Sequence, residues 1–227
     1  MEARLKIALM IAAMFVASAA HSQAKSKLDQ QMDYEGLQPV KVKGISLAYK
    51  RPDATLAGYK RVKLDPVEVR FAKNWNPARP GNTASKLPPP PVDREEIRTG
   101  LAKVVREQFV KALTAQGRYP VVDETAPDVL RLKIYIVNLY VTAPDNPQPG
   151  VRTFVTSAGE MTLFMELYDS ETGQILGRVA DRQEARNAAM LQMANSVTNV
   201  GEAADIAANW ARIMRDALDR AHAAMKN

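Results

Sequence analysis

The 227-residue chain carries 31 Lys and Arg against 25 Asp and Glu, a net charge of +6, and 46% of its residues are hydrophobic. It has no cysteine, which excludes disulfides, zinc–thiolate sites, thiol catalysis and a diacylglyceryl-cysteine anchor. The cations are dispersed rather than gathered into an arm, so most of the charge is read as a solvated surface and no nucleic-acid partner is expected.

At the N-terminus, Arg4 and Lys6 precede 14 uncharged residues, Ile7 to Ala20. Ser22-Gln23-Ala24 then puts small residues where a signal peptidase needs them, just before Lys25. A membrane anchor needs ~20 apolar residues to cross the hydrocarbon core, more than this run supplies. Residues 1–24 are therefore predicted to be a cleaved signal peptide, with Ala17-Ser18-Ala19 and Ser18-Ala19-Ala20 as competing exits. Loss of Glu2, Arg4 and Lys6 takes the net charge from +6 to +5. That balance suits anionic lipid headgroups or acidic envelope polymers. The expected location is periplasmic or secreted, soluble after cleavage, with no later transmembrane segment: the most apolar later stretch, Val129 to Ala143, is interrupted by Arg131 and Lys133.

Residues 25–43 are polar and aperiodic and read as a flexible lead-in to one α+β domain over 44–227. From Tyr59 the pattern changes: Val62 and Leu64, then Val67, Val69 and Phe71, alternate with charge, as a strand buried on one face does. Pro66 removes a ladder donor between the two runs and predicts an edge strand or a bulge. Asn76 to Pro91 holds six prolines and reads as a stiff surface loop, with a proline ligand for a groove-type module as the alternative.

Asp93 caps a predicted helix, with Glu96 as its capping-box partner and Ile97, Leu101, Val104, Val105, Phe109, Ala112 and Leu113 on one stripe. Gly117 is its stop. Val121 and Val122 suggest a short strand. Asp128 opens a long one, with Leu130, Leu132, Ile134 and Ile136 facing one way and Arg131, Lys133 and Tyr135 the other. A hairpin follows: Met161, Leu163, Met165 and Leu167 lead up to Tyr168, Asp169 to Gly173 turns with Gly173 at positive φ, and Ile175, Gly177 and Val179 return to Asp181-Arg182. Met190, Met193 and Val197 share helical spacing, which suggests a short amphipathic helix or a loop folded over the sheet. A last helix from about Glu202 aligns Ile206, Trp210, Ile213, Ala217, Leu218 and Ala221. The expected architecture is a mainly antiparallel sheet of about four to six strands with two amphipathic helices packed on one face.

Chemistry-bearing residues are few. After cleavage the sole histidine is His222, near the end of the last helix, where it complements the helix dipole. No phosphate loop, dinucleotide pattern or closely spaced acid loop occurs, so no cofactor or metal is expected. Glu160, Glu166, Asp169, Glu171 and Asp181 all fall on the hairpin, and two of them could do acid–base work on a glycan. Carboxylates are also common at turns and sheet surfaces. Asp181 and Arg182 either tie the strand exit to the helices or present a polar contact to a partner. Met190 and Met193 are candidate partner contacts because methionine faces adapt to varied surfaces.

Tyr59-Lys60-Arg61-Val62 through Val69, the hairpin run Glu166-Leu167-Tyr168-Asp169-Ser170-Glu171-Thr172-Gly173 with Ala180-Asp181-Arg182, and Trp210-Ala211 in the last helix resemble the bacterial envelope proteins grouped as domain of unknown function 3313. The likeness spans roughly residues 45–222 and implies no enzymatic activity. Many members look like lipoproteins with a cysteine after the signal; this chain lacks it, which implies a soluble periplasmic form. The function expected is an accessory or binding protein of the cell envelope, contacting another envelope protein, a lipid headgroup or a cell-wall polymer. The alternative is a glycan hydrolase using two hairpin carboxylates, and a structural filler in a larger complex is a third reading.

Overall fold

The computed structural model describes residues 36–75, 93–141, 154–155, 159–184, 192–193 and 196–225. The expected signal peptide, the proline-rich segment and Met190 lie outside them. Leu37–Asn227 forms one compact unit.

Period-2 alternation produces the two longest strands where it is strongest. β5 (Val129–Val141) buries Leu130, Leu132, Ile134 and Ile136 and leaves Arg131, Lys133 and Tyr135 half-exposed. β7 (Gly159–Asp169) buries Met161, Leu163, Met165 and Leu167 on the same side and pairs antiparallel with β5, Ile134 opposite Met165. β8 (Ile175–Glu184) returns antiparallel to β7 through the turn at residues 170–174. There Gly173 has φ 69° and its N–H bonds Asp169 O at 3.0 Å, a left-handed geometry that a β-branched residue resists.

The remaining strands flank this core. β1 (Gln38–Val40) and β2 (Leu47–Lys50) form a hairpin that joins β8 through β2. β3 (Arg61–Leu64) and β4 (Glu68–Phe71) lie end to end along the far edge of β5, separated at the Pro66 break, where a missing donor costs no ladder bond. Beyond β3, Val121 N-terminal to β5 makes a single parallel bridge to Val62. The result is a seven-stranded sheet with β1, β2, β8, β7 and β5 in order, then β3 and β4 sharing one edge. Outside it, β6 (Phe154–Val155) and β9 (Gln192–Met193) pair antiparallel.

Two expectations about the sheet are corrected. It has seven strands rather than four to six, and it is mixed, because β3 and β4 run parallel to β5. The parallel pairing follows from the connection: α1 (Arg94–Thr114) intervenes between β4 and β5, and a helical crossover returns the chain in the same direction. Two strands of the sheet were not expected at all: β2, and β1, which falls inside the segment read as a flexible lead-in. The three residues of β1 are too short to show a period, yet Leu37 beside them is buried.

Both helices lie on one face of the sheet, and their apolar residues join Val62, Leu132, Ile134, Leu163 and Met165 in one core. α1 contributes Leu101, Val105, Phe109 and Leu113, a ridge at four-residue steps. The Asp93 carboxylate accepts from the N–H groups of Glu95 and Glu96 at 2.8 and 3.0 Å, and Tyr119 N–H closes on Leu113 O at 3.0 Å beyond Gly117 (φ 70°). α2 (Ser196–Ala224) starts six residues earlier than Glu202, and its buried stripe is Ala207, Trp210, Ala211, Met214 and Leu218. The stripe is rotated from the expected one: Ala207, Ala211 and Met214 take buried positions, while Ile206 and Ile213 are half-buried. Met193 stands on β9, a strand rather than the short helix or the loop expected.

Candidate functional site

With the helices on one side, alternate residues of β5, β7 and β8 face the other. The register places Tyr135 opposite Phe164, Lys133 opposite Glu166, Arg131 opposite Tyr168, Glu166 opposite Arg178, and Arg178 opposite Tyr49 of β2. This face, opposite the helices, is built of rings and charges. Tyr135 and Phe164 meet with centroids 5.8 Å apart at 48°, and Lys133 Nζ sits 4.9 Å from the Tyr168 ring centroid.

At its centre is an ion pair. Arg178 Nε donates to Glu166 Oε1 at 2.8 Å, and the Tyr168 hydroxyl donates to Glu166 Oε2 at 2.9 Å. Glu166 and Arg178 are 8% and 5% exposed, so removing one partner strands a desolvated charge, at about 3–5 kcal/mol. Burial, then the hydrogen bond to Glu166, pushes the Tyr168 hydroxyl up to about 12. Around this centre, Arg131 forks onto Asp65 with contacts of 2.7, 2.9 and 3.1 Å, and Arg182 pairs with Glu160. The face is therefore fixed in geometry, with Arg131, Lys133, Tyr135, Phe164 and Tyr168 half-exposed and Arg182 exposed.

Asp181 and Arg182 are neighbours in sequence and point to opposite faces. Asp181 turns inward, 3% exposed. Its Oδ1 accepts from Ser46 N–H at 3.0 Å and Ser46 Oγ at 2.6 Å, and its Oδ2 from Trp210 Nε1 at 2.8 Å and Gln183 Nε2 at 2.7 Å. One carboxylate thus joins β8, α2 and the β1–β2 loop. The same loop touches α2 again at Gly44, where an added Cβ would lie 3.0 Å from Ile213 Cδ1.

Asp169 is committed elsewhere. Asp169 caps the turn, accepting from Thr172 N–H at 2.7 Å, Thr172 Oγ1 at 2.8 Å, Glu171 N–H at 3.1 Å and the Tyr59 hydroxyl at 2.9 Å. Burial opposes its ionisation, but these hydrogen bonds together outweigh it and hold the carboxyl below the usual carboxylate range. Glu171 is exposed in the turn. A pair of glycosidase carboxyls must face one another across a cleft, ~5–9.5 Å apart. Glu166 and Asp181 lie on opposite faces of the sheet, and Asp169 and Glu171 at its end; Glu160 shares the face of Glu166 but stands six residues, about 20 Å, along β7 and is paired with Arg182.

His222, in the last turn of α2, brings Nε2 to 2.9 Å from Tyr59 O and its ring to 5.7 Å from that of Tyr119. The Tyr119 hydroxyl donates to Asp219 at 2.8 Å. These contacts fasten the end of α2 to the approach to β3. Among the described residues no group of acids or histidines has metal-site geometry, and no helix is long and apolar enough to cross a membrane. Sequence reading missed Tyr59, Tyr119, Ser46 and Trp210 as carboxylate partners. Each lies 29 to 135 residues from its acid, beyond the reach of any local pattern.

The family model described as protein of unknown function DUF3313 matches residues 25–214. The chain belongs to the DUF3313 family. The resemblance carried by the hairpin and the opening strand is thereby established. No curated protein matches it. Among solved structures it is similar to a PelC dodecamer from Paraburkholderia phytofirmans, with 7% identity over 78% of this chain and 96% of that one, TM-score 0.38. A DUF330-family protein from Xanthomonas campestris gives 8% identity over 74% of this chain and 90% of that one, TM-score 0.39. A putative lipoprotein from Caulobacter crescentus gives 14% identity over 76% and 96%, TM-score 0.33.

Proposed function

We propose that this DUF3313 member is an exported accessory or binding protein of a cell envelope, non-catalytic, which makes contact through the face of its sheet opposite the helices. The observation that carries the reading is the division of labour among its polar residues. The carboxylates of Glu166, Asp181 and Asp169 are spent on separate structural bonds, while one face holds rings and cations rigid and half-exposed. Rings held by cross-strand pairing lose little freedom on contact, which favours recognition. Arg182 belongs to this surface, and Asp181 serves as the internal tie. Met190 and Met193 keep the role proposed for them from sequence, an adaptable apolar contact.

Export is supported by the charge, apolar run and small-residue exit at residues 4–24. The partner is an envelope protein, a lipid headgroup or a cell-wall polymer. Photo-crosslinking from Phe164 in intact cells, set against the same label on α2, tests the reading: adducts confined to Phe164 support it, and adducts confined to α2 overturn it.

A further inference from the structure

We draw no further inference here: the strongest candidate, the half-exposed ring-and-cation patch around Tyr135, Phe164 and Lys133, belongs to the surface already proposed, and nothing in the structure shows what covers it.

Discussion

Replacing Asp181 by Asn tests the tie between sheet, helix and hairpin with almost no change of shape. The carboxylate accepts on both oxygens, from Ser46 on one side and from Trp210 and Gln183 on the other. An amide has a single acceptor oxygen. With that oxygen toward Ser46, the NH₂ group meets Trp210 Nε1–H, a donor that cannot reverse its role. With the amide turned over, it meets Ser46 N–H, equally fixed. One buried donor stays unpaired in either orientation, at about 1–3 kcal/mol. Loss of the charge-assisted bonds adds about 1 kcal/mol more. Asp181→Asn should therefore lower the unfolding free energy by about 2–4 kcal/mol. Trp210→Phe removes the opposing donor. In that background the Asn substitution should cost about 1–2 kcal/mol less, a coupling that a double-mutant cycle reads directly. Urea unfolding of the four chains, followed by circular dichroism, supplies the numbers. A single Asp181→Asn variant within about 0.5 kcal/mol of the parent, or an equal cost with Trp and Phe at 210, would refute the reasoning.

Three further outcomes are expected. Gly173→Val should destabilise the fold by roughly 1–3 kcal/mol through its φ of 69° alone, since no atom lies within 4 Å of an added Cβ, and Gly173→Asn should cost less; a fully stable Val variant would mean that the turn is drawn wrongly. Because burial and Glu166 push the Tyr168 hydroxyl up to about 12 against about 10 unfolded, its share of stability is full below pH ~10 and falls as pH rises toward 12. Tyr119, also pushed up to about 12, and Tyr59 add to the same limb, so Tyr168→Phe should make it shallower without removing it, and an unchanged limb would contradict the assignment. N-terminal sequencing of the mature chain should start near Lys25, and recovery of intact Met1 from the envelope fraction would defeat the export argument.

What could be read in advance followed from local periodicity. β5 and β7 alternate strictly because each is buried on one face only, so their core residues were legible one by one. Gly173 was legible because a turn imposes its demand within five residues. The sheet's mixed direction was not, since it depends on where a helical crossover lands. β1 was hidden by its length and by Pro39, which an edge strand tolerates. Asp181 stands out in the sequence, but its partners Ser46 and Trp210 come from elements that only folding brings together. Arg182 beside it lies on the other face, the consequence of a two-residue repeat that its adjacency to Asp181 disguised. Glu166 shows the same limit from the other side. As a hairpin acid it looked available for chemistry, and only the register reveals Arg178 and Tyr168 holding it.

The central claim, that the sheet face opposite the helices is the working surface of an envelope protein, is tested most directly by site-specific photo-crosslinking in intact cells. A photoreactive phenylalanine analogue at Phe164 preserves the ring beside Tyr135, and the same label at Arg212 reports from the exposed side of α2. The account predicts a discrete adduct from position 164 in the envelope fraction and none from position 212. Adducts from 212 alone, or none from 164 when the labelled protein is folded and exported, would contradict it.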